Sequence, residues 1–421
     1  MTYSIEHIRA QYPALAKTDK GLPRIYLDNP AGTQVPQNVV DRMSDCLLYN
    51  NANLGGAFVT SLGADSIVDD AHAAMADLLN AASPDEIIFG QNMTTLTLGV
   101  SRSIGLLLNP GDEILLSRMD HDANVQPWVL MARDRGVKVK WLPFDHETFE
   151  FDLTLAESLM TDKLRLMCVG GASNLLGTLN DVKALCAMAR KVGAWSYVDA
   201  VQSVPHVSTD VQFINCDFLA CSAYKFFGPH QGILYGRQSV LDQLNAYKVR
   251  PASERSPGNF ESGTQSHEGM AGTAAAVEYF ATIGEESGES FAKRYPIFKG
   301  RRLHAHTGLD VLFEYESGLA HRLVEGLMSI NGITVQGITS PEAMERRVPT
   351  VSFTSAQHAP LAITEGLAKQ NIFVWSGHNY AIEVVDSLGL RDTGGVVRVG
   401  PVHYNTEQEI DQVLNAIGDM H

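Results

Sequence analysis

Short apolar runs alternate with helix-like stretches along the chain from about residue 86 to residue 235. Such runs are typical of buried strands, and their alternation with helices indicates a mostly parallel sheet. The pattern therefore predicts the α/β fold class. The predicted strands are 86–89, 113–116, 137–141, 164–169, 194–198, 218–222 and 232–236, and the predicted helices are 94–107, 124–134 and one that runs from the cap residue Asp181 to about residue 192.

The pattern changes in the second half of the chain. Residues 250–272 are loop-like, and a long helical stretch after about Pro296 is followed by short strands at 350–353, 372–374 and 396–399. This arrangement is typical of an α+β unit, so we predict a domain boundary near residue 295. The expected parts are an N-terminal segment (1–25) that packs with the small domain, a large domain (26–295) and a small C-terminal domain (296–421).

Composition limits the class of protein. The 421 residues have a formal net charge of −16, and 45% are hydrophobic. This length predicts two domains, and the negative charge disfavours nucleic acid and anionic lipid as partners. The N-terminal residues lack the pattern of a signal peptide, and no apolar run approaches the length of a membrane span. The five cysteines form no C-x-x-C pair, so we expect free thiols and a cytoplasmic enzyme.

Polar residues follow three successive predicted strands. Asn174 comes after the run 164–169, Asp199 after 194–198, and Lys225 after 218–222. Because the carboxyl ends of parallel strands meet at one edge of a sheet, we expect these three side chains to converge. A buried lysine beside a carboxylate suits a Schiff-base lysine with an acid partner for a pyridine ring. For Lys225 alone, a side chain that reaches solvent from the strand end is the alternative.

Two further clusters bear on the kind of ligand. Thr94 and Thr95 begin a predicted helix, where hydroxyl and N–H groups can bind an anion, although such residues taken alone more often serve as ordinary helix caps. Neither G-x-x-x-x-G-K-[ST] nor G-x-G-x-x-G occurs, which favours a single phosphate over a nucleotide. Residues 120–122 read Asp-His-Asp, but neighbouring loop residues seldom bind one ion together, so we predict no metal site. His121 is better suited to a position above an aromatic cofactor.

These residues lie within motifs that resemble those of the class V aminotransferase family. The nearest branch in pattern is that of the cysteine desulfurases and selenocysteine lyases. The resemblance implies pyridoxal 5′-phosphate (PLP) as cofactor and the PLP-dependent transferase fold type I, in which 26–295 would be the PLP-binding domain. The matching motifs are 26–32 (Tyr-Leu-Asp-Asn-Pro-Ala-Gly), 93–95, 120–124, 173–178, 199–206, 222–225, and Arg398 with 404–406.

The resemblance assigns roles at the cofactor ring. Lys225 would bind PLP covalently, Asp199 would keep the pyridine nitrogen protonated, and His121 would stack on the ring. Gln202 and Asn174 would bond its O3′ oxygen.

The resemblance also assigns phosphate and substrate contacts. Thr94, Thr95, Ser222 and Tyr224 would hold the phosphate. Thr264 matches a phosphate contact that the family donates from the partner subunit, which implies a homodimer. For a small amino-acid substrate, Arg398 would grip the α-carboxylate, a task suited to a guanidinium, with a surface salt bridge as the alternative. Ala31 and Tyr380 would also contact the substrate.

The departures from the branch pattern change the expected chemistry. Desulfurases of this branch have a nucleophilic cysteine on a late loop, after an arginine. Here the matching positions hold Tyr380 and Trp375, and no cysteine follows Cys221. Tyr224 also precedes the lysine where the branch usually has histidine, and Gly55-Gly56 replaces an expected His-Arg pair.

The expected reaction proceeds through a Lys-derived aldimine and a quinonoid, and several outcomes remain open. We expect a lyase that breaks a C–S bond or another β-substituent without a protein persulfide. Transamination is the first alternative. Epimerisation is the second and would need Tyr380 as an acid on the opposite face, whereas packing at a pocket wall explains Tyr380 without a catalytic role.

Overall fold

The computed structural model describes residues 3–421, and a seven-stranded sheet forms its centre. The strand order is β4-β10-β9-β8-β7-β5-β6, and β10 alone runs antiparallel to its neighbours. Most of these strands are buried on both faces, as expected when helices cover both sides of a parallel sheet. The strands are β4 (Ile87–Gly90), β5 (Glu113–Ser117), β6 (Lys138–Leu142), β7 (Leu164–Gly170), β8 (Trp195–Asp199), β9 (Phe218–Ser222) and β10 (Gly232–Gly236).

A smaller antiparallel sheet lies in the C-terminal part, in the order β11-β12-β15-β14. Its strands are β11 (Ile333–Gln336), β12 (Val351–Ser355), β14 (Trp375–Gly377) and β15 (Val396–Val399). Two further pairs involve the N-terminal region: β1 (Thr18–Asp19) with β2 (Leu22–Pro23), and β3 (Ile25–Tyr26) with β13 (Ile372–Phe373).

Fourteen α-helices surround the two sheets in the described part of the chain. Several begin at the caps that their sequences provide; for example, Asp181 accepts the N–H of Ala184 at 2.9 Å. The helices are α1 (Ile5–Ala10), α2 (Gln37–Tyr49), α3 (Val59–Leu78), α4 (Met93–Gly105), α5 (Gln126–Arg135), α6 (Leu153–Leu159), α7 (Val182–Lys191), α8 (Val211–Ile214), α9 (Gln238–Leu241), α10 (His267–Ser287), α11 (Gly300–Met328), α12 (Pro360–Ala368), α13 (Ile382–Ser387) and α14 (Glu407–Gly418).

The N-terminal segment contacts the C-terminal part of the chain. Arg9 forms an ion pair with Glu409 at 2.9 Å, and the ring of Tyr3 lies 4.7 Å from that of Tyr315. The division at residues 25 and 295 stays a prediction, and residues 1 and 2 of its first part lie outside the described residues. Within residues 3–421, no helix has the length and apolar character needed to cross a membrane.

The α/β fold with a mostly parallel sheet is as the sequence predicts, and the differences are local. Glu86, expected in the first strand, instead ends a short 3-10 turn, where its carboxylate accepts the N–H groups of Ala82 and Gln238. Helix α10 begins at His267, inside the expected loop 250–272, because the Ser266 hydroxyl accepts the N–H of Gly269 and caps the helix there.

Candidate active site at the carboxyl ends of the parallel strands

Strands β7, β8 and β9 are neighbours, and their carboxyl ends border one cavity. Asn174, Asp199 and Lys225 all line it, as the sequence predicts from their positions after successive strands. Most of the other candidate residues join them there. The cavity is lined by Asn92, Met93, Thr94, Asp120, His121, Ala123, Gly170, Ala172, Asn174, Asp199, Val201, Gln202, Ser222, Tyr224 and Lys225.

Lys225 ends a 3-10 turn that directly follows β9, and its side chain is buried. Its Nζ donates a hydrogen bond to the carbonyl of Pro30 and lies 5.2 Å from the centre of the Tyr224 ring. Burial and, to a smaller extent, the nearby Arg398 lower the pKa of Lys225 to about 7, against the opposite effect of Asp199. The lysine therefore does not reach solvent, and its amine is uncharged in a large fraction of molecules at neutral pH.

Asp199 is the last residue of β8, and its carboxylate accepts the N–H of Val201 at 3.0 Å. Burial raises the pKa of Asp199 to about 6, against the opposite effects of that hydrogen bond and of Lys225. Placing a positive charge beside this carboxylate would stabilise its ionised form.

Asp120 is a second buried acid that the sequence did not single out as functional. Burial raises its pKa to about 7. It bonds Ser117 at 2.5 Å, Asn124 at 2.7 Å and the N–H of Gly170 at 2.8 Å. These bonds fix the loop after β5 against the end of β7. The feature of the sequence that could have identified Asp120 is its position shortly after a predicted strand.

His121 lines the cavity next to Asp120. Burial lowers its pKa to about 3, helped by the charges of Lys225 and Arg398, so the ring is neutral at physiological pH. Its Nδ1 accepts the N–H of Ala123 at 3.0 Å. The ring of Tyr380 stacks on His121 with 5.3 Å between centroids and 17° between planes.

Arg398 lies on β15 and is buried, which excludes a surface salt bridge, and it joins the cavity residue Asn174 to the C-terminal part. Its Nη1 donates to the carbonyl of Asn174 at 2.9 Å. Burial lowers its pKa to about 10, and Asp28 acts in the opposite direction, so the guanidinium stays charged. Asn174 in turn donates its side-chain N–H to the carbonyl of Asn379 at 2.8 Å, which ties the loop of Tyr380 to the cavity.

The phosphate candidates divide into two groups. Thr94 and Ser222 line the cavity together with Tyr224, whereas Thr95 is exposed and bonds Asn92, the N-cap of α4. Strand β10 packs directly against the N terminus of α4, so closely that a Cβ on Gly232 would lie 2.3 Å from the backbone of Asn92.

Thr264 and Ala31, like Thr95, Arg398 and Tyr380, do not line the cavity. Thr264 is exposed and borders a depression next to the end of α2, not the cavity of Lys225. Ala31 belongs to the short 3-10 turn that includes Pro30, the partner of Lys225.

Neither a thiol nor a cluster able to hold a metal ion is found at the site among the described residues. All five cysteines are free and buried, and none lines the cavity among the residues described. Residues 3–421 contain no group of three or more His, Cys, Asp or Glu side chains that is arranged to hold a metal ion.

Comparison with known proteins adds to this geometry. The family model described as "Aminotransferase class-V" matches residues 25–304 and 299–413. The chain belongs to the class V aminotransferase family. Members of this family are PLP-dependent, and the protein is a PLP-dependent enzyme with the type I fold.

The proteins most similar in sequence have two different descriptions, cysteine desulfurase and aminotransferase-like protein. A cysteine desulfurase from Pectobacterium carotovorum is 30% identical over 100% of this chain and 99% of that protein. An aminotransferase-like protein from Gibberella zeae is 34% identical over 99% of this chain and 98% of its own length. The apo structure of a cysteine desulfurase from Thermococcus onnurineus has a TM-score of 0.87 and 26% identity, and it covers 100% of this chain and 99% of the other.

Proposed function

We propose that this enzyme uses Lys225 to bind PLP and acts on a small α-amino acid, from which it eliminates a β-substituent through C–S cleavage or a similar step, without a protein persulfide. The observation that supports this most is the proximity of the buried Lys225, whose pKa is about 7, to the buried Asp199 and the charged Arg398.

The residues of the cavity fit this cofactor. The side-chain oxygens of Asn174 and Gln202 are buried acceptors without a protein partner, as expected where a ligand hydroxyl belongs. The neutral ring of His121 offers a flat face to a pyridine. Thr94, at the N terminus of α4, and Ser222 supply donors for one phosphate, with Tyr224 beside them. Thr95, one residue further along the helix, would reach the phosphate only by giving up its bonds to Asn92, so its contact stays a prediction.

When bound, PLP supplies an electron sink for a bond broken at the substrate α-carbon. Asp199 would hold a proton at the pyridine nitrogen, because a positive charge there would stabilise its buried carboxylate. The Nζ of Lys225 would take the proton from the α-carbon, which a pKa near 7 allows at neutral pH. Arg398 would bind the α-carboxylate with two parallel hydrogen bonds, and Ala31 would contact the substrate beside Pro30.

Persulfide chemistry within the protein is disfavoured by its thiols. Burial raises the pKa of every cysteine, that of Cys186 to about 12, so the reactive thiolate is scarce. Cys221 lies in the hydrophobic core, whereas its neighbour Ser222 borders the cavity. Tyr380, at the position where the branch has its cysteine, is 66% exposed and covers His121. The product would be free sulfide or another small leaving group.

Transamination is the first alternative, and the 34% identity to an aminotransferase-like protein favours it. Epimerisation is the second. Tyr380, an exposed phenol stacked on His121, is the residue that would serve it.

A second copy of the chain would complete the site. Helices α2 and α3 expose the apolar side chains Leu48 (71%), Tyr49 (68%) and Val59 (82%), and grouped exposed apolar residues often mark a protein–protein interface. Thr264 lies at the edge of this surface, next to Leu47. Docking two such faces would bring Thr264 of one copy towards the other copy's phosphate site, and we propose a homodimer on this basis. Free buried thiols suit a reducing compartment, so we also propose a cytoplasmic location.

A product analysis tests the reaction type. The cofactor-loaded enzyme is incubated with a panel of amino acids, with cysteine and other β-substituted substrates included. Pyruvate together with sulfide or another leaving group supports elimination. A 2-oxo acid together with the pyridoxamine form of the cofactor would establish transamination instead, and inversion at the α-carbon without either product would establish epimerisation.

A further inference from the structure

A buried pair of histidine and glutamate joins the segment 257–264, which carries Thr264, to the rest of the fold. The Nε2 of His72, on α3, lies 2.8 Å from the Oε1 of Glu261, and only 8% and 10% of the two side chains are exposed. The same oxygen accepts the N–H of Phe89 at 2.6 Å. Glu261 therefore connects its segment to α3 and to β4, an edge strand of the large sheet. None of the steps proposed above uses His72 or Glu261.

The contact between His72 and Glu261 requires a proton. The Nδ1 of His72 lies 2.8 Å from the carbonyl oxygen of Val68, which can only accept, so a hydrogen bond there needs a proton on Nδ1. A hydrogen bond at Nε2 needs a second proton, which either the imidazole or the carboxyl group can carry. If that proton is lost, one of the two contacts of His72 is left with lone pairs on both atoms, whichever nitrogen keeps the remaining proton. Both hydrogen bonds are therefore present only while the pair holds the second proton.

The surroundings of His72 favour this second proton. Burial lowers the pKa of His72, but the hydrogen bond and charge of Glu261, the carbonyl of Val68 and the charge of Asp69 outweigh it, so the pKa lies above its ordinary value of about 6.5. Strand β4 presents the uncharged ring of Phe89, whose centroid lies 5.0 Å from that of His72. A raised pKa means that the proton is held below this ordinary value and lost as the pH rises above the pKa of the folded protein.

Glu261 has the last largely buried side chain before Thr264. Residues 262–264 are exposed, and they make one side-chain bond, from the Oγ of Ser262 to the carbonyl of Tyr247 at 3.3 Å. Helix α10 begins three residues after Thr264. The position of Thr264 therefore depends on how firmly Glu261 is held on one side and on the start of α10 on the other.

We propose that His72 and Glu261 are positioning residues that share a proton and thereby hold the segment 257–264, and Thr264 with it, against α3 and β4. Loss of the proton removes one of the two hydrogen bonds of His72 and loosens the segment. The effect on the cofactor rests on the proposed function, because it assumes that Thr264 contacts the phosphate bound by a second copy. The effect on the segment is independent of that assumption.

Hydrogen exchange of the cofactor-loaded protein, read by mass spectrometry at about pH 6 and about pH 9, tests the hold on the segment. Exchange is corrected for its ordinary pH dependence in an unfolded peptide. Protection of the peptides that contain Phe89 and 257–264 should then fall by about tenfold at the higher pH, as expected for the loss of one charge-assisted hydrogen bond. His72→Gln supplies an N–H that does not titrate, so its protection should be equal at the two pH values. His72→Leu supplies none and should be poorly protected at both.

His321→Gln is the matched control, because His321 lies 3.2 Å from Glu325 in an exposed pair on α11. This variant should keep the wild-type pH dependence. A wild-type protection that does not change with pH, or a fall that persists in His72→Gln, would overturn the inference. If His72→Leu does not fold, the comparison of the wild type with His72→Gln decides the question.

Cofactor retention separates this inference from the proposed function. The rate of cofactor loss should increase more between the two pH values in the wild type than in His72→Gln, and in a Thr264→Ala background the two should behave alike. Protection that depends on pH through His72, without this difference in retention, would overturn the contact of Thr264 with the phosphate. A wild-type protein without cofactor at Lys225 would overturn the proposed function, whereas the exchange measurement would still decide the role of His72 and Glu261.

Discussion

The chemistry proposed for individual residues depends on how deeply each is buried. Lys225, Asp199 and His121 all have pKa values displaced towards their neutral forms, because the low-dielectric cavity disfavours charge. A lysine with a pKa near 7 and a carboxyl group with a pKa near 6 both titrate close to physiological pH, so they can exchange protons with a ligand at little cost. Displaced pKa values of this kind are typical of functional sites.

The role of Asp199 is tested by its conversion to asparagine. Asp199→Asn removes the charge that would keep the pyridine nitrogen protonated, so turnover should fall by roughly a hundredfold or more while the cofactor still binds. Asp122→Asn makes the same change on the neighbouring loop and should have little effect. Normal turnover by Asp199→Asn would show that this carboxylate serves only the structure of the strand end.

The lowered pKa of Lys225 predicts how cofactor loading depends on pH. Only the neutral amine attacks an aldehyde, so the loading rate of the apoprotein should rise with pH up to about 7 and level off above it. A free lysine derivative under the same conditions provides the comparison, since its rate keeps rising towards a pKa of about 10.4. Loading that rises through pH 10 in the protein would contradict a buried, perturbed lysine.

At the scale of elements, the sequence predicted the strands better than the contacts between distant segments. Asn174, Asp199 and Lys225 could be brought together in advance, because parallel neighbouring strands place their carboxyl ends side by side. The stacking of Tyr380 on His121 could not, since it depends on the loop after β14 and on positive φ angles at Asn379 and Tyr380. The buried hydrogen bond between His206 and Glu316 likewise joins residues more than a hundred positions apart.

The apolar surface of α2 and α3 predicts the assembly state. Replacing Leu48 and Val59 by Lys should produce a folded monomer that retains cofactor poorly, because the surface would bind water instead of a second copy. Ile297→Lys changes an equally exposed apolar residue elsewhere and should stay dimeric. Sedimentation and cofactor retention are the measurements, and Thr264→Ala should weaken retention without changing the assembly. A fully active wild-type monomer would remove this proposal.

At the scale of the whole molecule, the distribution of cysteines bears on the type of reaction. All five precede residue 222 and are buried, while the late loop that covers the cavity has none. Family membership and fold could be recognised from the spacing of motifs along the chain. The substrate side chain could not, because it depends on the shape of the loop around Tyr380.

A variant with all five cysteines replaced by Ala or Ser tests this feature. It should fold, load cofactor and retain most of its turnover, with a loss of stability of about 1 kcal/mol for each buried replacement. The same assay on the wild type provides the reference. Loss of turnover in a folded, loaded variant, with a persulfide detected on a wild-type cysteine, would contradict the absence of persulfide chemistry.

The central claim is that Lys225 binds the cofactor, and borohydride reduction followed by peptide mapping tests it most directly. Reduction fixes the cofactor to the amine that holds it, and digestion then identifies the labelled peptide. We expect the label on the peptide that contains Lys225 in the wild type, and no fixed cofactor in Lys225→Ala. A label on any other lysine, or a wild-type protein that binds no PLP, would contradict this account.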